Sequence, residues 1–215
     1  MSNQEIERKW VLDLNVAQRA FLDKASKTVL IQQGYVDPVK SVSFSEDTVT
    51  LAGISFRVPE KEQFSSIWSL FQTPDLKNIV ARYRITEEDG DLHAYLTFKG
   101  QGGLKRIEEE FTVDPKQASL LQPHAFGVIY KRRLYVNEFT PTLEVDLYDP
   151  RHRFSFAVFE VEFPSEKEAS TYQLPKPVKA LNPIEVTEDF AFTNVKLALE
   201  PQKAIHTYQK VYAER

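Results

Sequence analysis

Charge and hydrophobe alternate along most of this chain, and that period of two limits the fold more than any other feature. Taking every second residue gives Glu5, Glu7 and Lys9; Arg82 and Arg84; Lys99; Arg106, Glu108 and Glu110; Lys131 and Arg133; Glu144 and Asp146; Glu160 and Glu162. The residues between them are largely apolar: Ile6, Tyr83, Ile85, Phe98, Ile107, Phe111, Val145, Leu147, Val161 and Phe163. Alternate side chains of a strand share a face, so these runs predict strands with one ionic and one apolar face. Turn signals such as "EDGD", "KGQGG", "VDP" and "YDP" separate them, and the strands follow one another like hairpins.

The first strand spans about Glu5 to Leu12, and "KTVLIQQGYV" supplies a second. Six more follow in "NIVARYRITEE", "DLHAYLTFKG", "LKRIEEEFTV", "AFGVIYKRRLYVNE", "TPTLEVDLYD" and "FSFAVFEVEFP". Eight antiparallel strands with few helices predict an α+β chain built on an antiparallel β-barrel or strongly curved sheet with flanking helices. "NVAQRAFLDKA" reads as a helix capped by Asn15 with Gln18 in the reciprocal position, and Ser165 with Glu168 opens a helical C-terminal segment at about 165–215. Residues 38–77 are too long for a tight link and read as an insertion: "VSFSEDTVTLAGISFRV" an extra hairpin, "FSSIWSLFQ" a short helix with Ile67, Leu70 and Phe71 on one face. A stripe of Trp68, Ile67, Leu70 and Phe71 reads as packing before it reads as a partner site.

Composition excludes several functions. At 215 residues, 42% of them hydrophobic, the chain can bury a core, and one large domain accommodates it. A net charge of −4 gives no global signal for nucleic acid or an anionic membrane, and any anion site is local. No cysteine is present, which removes disulfides, thiolate metal sites and cysteine nucleophiles and fits a reducing compartment. With no apolar leader and no run long enough to span a bilayer, the reading is a soluble cytoplasmic protein. His93, His124, His152 and His206 show no ligand spacing, and "KGQGG" lacks the spacing of a phosphate-cradling loop.

Two architectures satisfy the alternation. In one, the charged faces are the solvated outside of an ordinary sheet. In the other, they line a wet interior while the apolar faces pack outward against helices and the insertion. The charged positions are almost wholly ionic and segregated by strand, which a solvated face does not require. In a tunnel, Glu5, Glu7, Glu160 and Glu162 suit a hard cation such as Mg²⁺ or Mn²⁺. Arg82, Arg84, Lys99, Lys131 and Arg133 suit a polyanion, and a metal-chelating triphosphate matches both sets.

These residues carry a resemblance. "EIERK" at 5–9 is similar to the N-terminal ExExK signature of the CYTH superfamily, the triphosphate tunnel metalloenzymes. "RYR" at 82–84, "LTFK" at 96–99, "RIEEE" at 106–110, "KRR" at 131–133, "EVD" at 144–146 and "EVE" at 160–162 follow in the family's order. The resemblance implies a single eight-stranded tunnel domain that hydrolyses inorganic triphosphate or a related linear triphosphate with Mg²⁺ or Mn²⁺. Thiamine triphosphatase, nucleoside triphosphatase and adenylate cyclase are the enzymatic alternatives, and a non-catalytic polyphosphate or nucleotide sensor is the other. It implies Glu5, Glu7 and Glu162 as principal metal ligands. Glu160, Asp146, Glu108 and Glu110 would form a second metal site or hold metal-bound water. Arg82, Arg84, Lys99, Arg106, Lys131 and Arg133 would clamp phosphate, and Lys9 belongs to the same lining. Against the pattern stand the insertion, with roles as a lid, a substrate filter or a homodimer contact, and Phe190 and Phe192 where a basic residue and a tyrosine are expected; Lys196 is the candidate replacement for the charge.

Overall fold

The computed structural model describes residues 6–39, 41–72, 79–100 and 108–213. Its elements in chain order are β1 (Ile6–Asp13), α1 (Leu14–Phe21), β2 (Lys27–Val36), β3 (Val42–Ser45), β4 (Thr48–Leu51), β5 (Ile54–Arg57), α2 (Lys61–Leu70) and β6 (Val80–Glu88). They continue with β7 (Asp91–Lys99), β8 (Glu108–Val113), α3 (Pro115–Ser119), β9 (Ala125–Val136), β10 (Leu143–Tyr148), β11 (Phe156–Phe163), α4 (Glu166–Thr171), α5 (Lys176–Lys179), β12 (Ile184–Glu185), α6 (Asn194–Leu199) and α7 (Pro201–Ala213). All eight strands expected from alternation are present. They fall in two compact units, a middle unit of Gln32–Val128 and a terminal unit of Glu5–Ile31 with Ile129–Arg215.

In the terminal unit the strand order is β12-β1-β11-β10-β9, followed by the first half of β2. β1 pairs antiparallel with β11 from Ile6↔Phe163 to Asp13↔Phe156, and β10 with both β11 and β9. One sheet face is largely apolar: Trp10, Leu12, Leu134, Val145, Phe159 and Val161 pack against Ala17 and Phe21 of α1, Ala169 of α4 and Val178 of α5. Trp10 stacks on Phe159 with ring centroids 5.3 Å apart. The other face divides along its length. Val11, Ile129, Tyr148, Phe156 and Val158 occupy one end and join Phe192, Leu197, Ala204 and Tyr208, so that α6 and α7 cover it. The charged residues occupy the other end.

The middle unit continues with the second half of β2, then β6, β7 and β8, and a separate meander β3-β4-β5. Tyr83, Leu96, Phe98 and Phe111 form the apolar face, and the insertion lies on it through Val49, Leu51, Phe56, Ile67 and Leu70. The insertion therefore completes a core on the face opposite the charges. Its expected hairpin is a three-stranded meander, because "ISFR" pairs with β4 as well.

The structure corrects three expectations. The main sheet has nine strands and its order ends at β12 and β8, so it is not the closed eight-stranded barrel expected. The ninth strand is the two-residue β12, which pairs with β1 through Trp10↔Glu185 and Val11↔Ile184. The first helix is capped by Asp13, whose carboxylate accepts from the backbone N–H of Asn15 and of Val16, and not by Asn15. The Ser165 cap stands as expected, its Oγ accepting from Glu168 N at 3.2 Å. "VDP", read as a turn, instead starts α3, with Asp114 accepting from Gln117 N.

One glycine is required by packing. A Cβ on Gly34 would lie 2.3 Å from Cε1 of Tyr83, whose side chain is wholly buried. Gly34→Ala should lower stability by about 1–3 kcal/mol through overpacking, measured from the urea midpoint. It should be strongly non-additive with Tyr83→Ala, and a neutral Gly34→Ala would contradict this packing.

Candidate functional site

Register brings the charges of the terminal unit into rows. Glu144 of β10 stands opposite Glu160 of β11, which stands opposite Lys9 of β1; one row away Glu162 faces Glu7, and Asp146 faces Arg133 of β9. The guanidinium of Arg133 is the hub. Its Nε and Nη2 donate to the two oxygens of Asp146 at 2.7 and 2.8 Å, Nη2 also to Glu160 at 2.9 Å, and Nη1 to Glu144. Lys131 donates to Asp146 and, at 3.3 Å, to Asn194 Oδ1. The Lys9 ammonium lies 2.9 Å from Glu160 and 3.2 Å from Glu7.

This face is not solvated. Asp146 is 0% exposed and Lys131 4%, and Lys9, Arg133 and Glu160 are buried too. Buried ions persist only when paired, and the pairing is visible in the proton affinities. Burial alone would raise the carboxyl of Glu160, but Lys9, Arg133 and Lys131 hold it well below the ordinary range. Asp146 is likewise lowered against its burial by Arg133 and Lys131. Lys9 is raised, its own burial outweighed by Glu160 and Glu7. Glu144 moves the other way: burial raises it, and Arg133 does not fully compensate while Asp146 and Glu160 stand near.

The middle unit holds a second cluster. Arg82 Nη2 donates to Glu110 at 2.9 Å and to Thr97 Oγ1 at 3.1 Å and lies 3.7 Å from Glu108, while Thr97 itself donates to Glu110 at 2.7 Å. Lys99 pairs with Glu108 at 2.7 Å. The pairings Arg82↔Thr97↔Glu110 and Lys99↔Glu108 are the registers of β6, β7 and β8. Arg82 is 7% exposed, and its Nε is buried with no hydrogen-bond partner among the described residues. Arg84 shares the face of Arg82 on β6 and is half-buried.

Of the expected site residues, Lys9, Glu7, Lys131, Arg133, Asp146 and Glu160 come together in the terminal unit, and Arg82, Lys99, Glu108 and Glu110 in the middle one. Glu162 is exposed beside Glu7 on the neighbouring strand. Glu5 and Arg106 lie outside the described residues. Among the described residues no three Asp, Glu or His side chains converge on one point for a metal ion. Both oxygens of Asp146 are occupied by Arg133 and Lys131, so Asp146 can position those cations and is a poor base.

Several neighbours carried no sequence signal. Asn194 reaches Lys131 from α6, and Thr97 bridges Arg82 to Glu110, because uncharged residues at isolated positions do not stand out in a charge pattern. Gln33 is fully buried on β2, donating to Tyr35 at 2.8 Å with its carbonyl oxygen unpartnered among the described residues. Lys196, offered as a replacement cation, pairs at the surface with Glu200 at 2.8 Å. Phe192 is buried against Phe156, whereas Phe190 is exposed. His152 has a structural role, its Nε2 accepting from Tyr130 N at 3.0 Å.

No family model matches the chain. Inorganic triphosphatase of Nitrosomonas europaea is 33% identical over 107 residues, which are 49% of this chain and 68% of that protein. A crystal structure of an inorganic triphosphatase aligns over 92% of this chain and 96% of its own at 22% identity and a TM-score of 0.48. A Bacillus halodurans protein described as a candidate adenylate cyclase aligns over 84% and 91% at 15% identity and a TM-score of 0.47. The sequence relationship, with the strand motifs in order, places the chain in the CYTH superfamily. No helix among the described residues is long and apolar enough to cross a membrane.

Replacing Arg133 by Met should lower stability by roughly 3–5 kcal/mol, because Asp146, Glu144 and Glu160 lose a shared partner inside the protein. Arg151→Met, which breaks an exposed pair with Asp149, should cost less than about 1 kcal/mol. Equal urea midpoints for the two variants would contradict the hub. The lowered carboxyls of Asp146 and Glu160 make stability that is present above the ordinary carboxylate range and lost as pH falls through it toward their native values; raised Glu144 has the opposite sign. The urea midpoint of the wild type should therefore fall between about pH 5 and 2, and Glu160→Gln should fall less steeply. Parallel curves would refute the assignment.

Proposed function

We propose that the protein hydrolyses inorganic triphosphate, or a closely related linear triphosphate, with a hard divalent metal ion. One observation carries this reading: on the charged faces of β1, β9, β10 and β11, Lys9, Lys131, Arg133, Asp146 and Glu160 are buried in one mixed ionic network, with half-buried Glu7 and Glu144 at its margin. A face of that kind has no purpose in solubility. It supplies cations for phosphoryl oxygens and carboxylates for a metal ion, and the relationship to an inorganic triphosphatase supports the substrate class.

The donor set fits Mg²⁺ or Mn²⁺ in kind, since it consists of carboxylate oxygens in a chain without cysteine. Glu7 and Glu162 stand opposite one another across β1 and β11, and like charges so placed destabilise a strand pair unless a cation offsets them. With Glu5 they would hold the ion, and Glu160 would join them on giving up Lys9 or Arg133, which occupy its two oxygens. Such an ion, when bound, neutralises charge on the transferred phosphoryl group and lowers the pKa of attacking water. Lys9 keeps Glu7 and Glu160 oriented from between them. Asp146 keeps Lys131 and Arg133 aimed, and a phosphate oxygen is the natural replacement for one of their carboxylate partners. Arg82, Arg84, Lys99 and Arg106 are proposed as phosphate ligands in the same sense, with Glu108 and Glu110 ordering water.

Phosphate release should be fastest from tripolyphosphate among tripolyphosphate, ATP and thiamine triphosphate, and should stop when the metal is chelated. Glu7→Gln should lower kcat by about 10²-fold or more without a matching loss of stability. Turnover unaffected by chelation or by Glu7→Gln would overturn the reading.

A further inference from the structure

The insertion carries a surface hollow that the triphosphate reading does not use. A cavity of about 250 Å³ is lined by Phe44, Ser45 and Glu46 of the β3-β4 turn and by Phe64, Ser65 and Trp68 of α2. The phenyl rings of Phe44 and Phe64 meet edge-on with centroids 6.0 Å apart. On α2 the packed face is Ile67 and Leu70, both buried, whereas Trp68 points away from it and is 47% exposed. The stripe read from the sequence is thus core at Ile67, Leu70 and Phe71, and Trp68 is left over for another purpose. Beside these rings, Asp47 is paired with Arg57 at 2.7 Å, while the carboxylate of Glu46 makes no ion pair or hydrogen bond with any described residue. Among the described residues no lysine or arginine lines the cavity.

We propose that this hollow binds a small organic cation of the alkylated-ammonium class. Three aromatic side chains line the hollow, Trp68 with nearly half its surface open to a ligand, and the carboxylate of Glu46 adds a full negative charge with no partner among the described residues. An anion would be repelled. A neutral apolar ligand would cover the carboxylate without compensating it, and burial of an uncompensated charge is unfavourable. A primary ammonium keeps its hydration shell, whereas an alkylated one sheds water readily and offers methyl groups to the rings. The volume admits a group the size of choline and excludes a helix or a folded partner.

The test is calorimetric titration of the full chain with choline and with 3,3-dimethylbutan-1-ol, its uncharged isostere, at constant ionic strength. Choline should bind one saturable site in the range of an exposed cation–π contact, and the isostere about tenfold more weakly. Glu46→Gln should weaken choline roughly fivefold to tenfold and Trp68→Leu should abolish its binding, with melting temperature and phosphate release unchanged in both. Trp68 fluorescence should follow the titration, while Trp10, buried in the terminal unit, should not. Equal binding of the isostere, wild-type affinity in Glu46→Gln, or a Trp68 shielded by self-association before ligand is added would each overturn the proposal.

Discussion

The guanidinium of Arg133 satisfies Asp146, Glu144 and Glu160 at once, and much of the terminal unit follows from that arrangement. A guanidinium has a wide, fixed fork that reaches three carboxylates on two adjacent strands, whereas Lys131 and Lys9 meet only Asp146 and Glu160 of the three. The alternation along β9, β10 and β11 aims these groups onto one face. The helices α6 and α7 then cover the apolar end of the same face, and that cover raises the cost of leaving any charge unpaired. Under the function proposed above, an incoming polyanion would exchange with the carboxylate partners of these cations and would not have to assemble a site.

The insertion changes the meaning of the middle unit. A sheet with one ionic face must cover its apolar face with something, and here Val49, Leu51, Phe56, Ile67 and Leu70 do so against Tyr83, Leu96 and Phe98. The described part of the insertion is a supporting layer behind the charged face. Phe71, edge-on to Phe98 at 5.9 Å, ties the end of α2 to β7. That role accounts for most of the insertion's hydrophobic residues and leaves Trp68 and the β3-β4 turn as its outward-facing chemistry.

Much of this was legible in the sequence because period-two alternation survives even where both faces are buried. Every expected strand exists within a few residues, and the charged runs form the ionic clusters. What escaped was of two kinds. Features too short for any pattern were invisible: β12 has two residues, yet it makes the sheet nine-stranded where eight strands were expected. Features whose partner is distant in sequence were invisible as well. Asn194 is an ordinary asparagine until α6 brings it to Lys131, and Gln33 is an ordinary glutamine until β2 buries it. The Asn15 cap failed for a local reason, since Asp13 ends β1 with its carboxylate already placed over the first turn of α1.

The central claim is that these buried ionic faces exist to receive a metal-bound triphosphate, and thermal unfolding with tripolyphosphate tests it most directly. A ligand that binds only the folded protein raises the melting temperature with its concentration. Tripolyphosphate should raise it well above the effect of equimolar orthophosphate, and addition of Mg²⁺ or Mn²⁺ should enlarge that difference. A melting temperature that responds equally to both anions, or ignores the metal, would contradict the account.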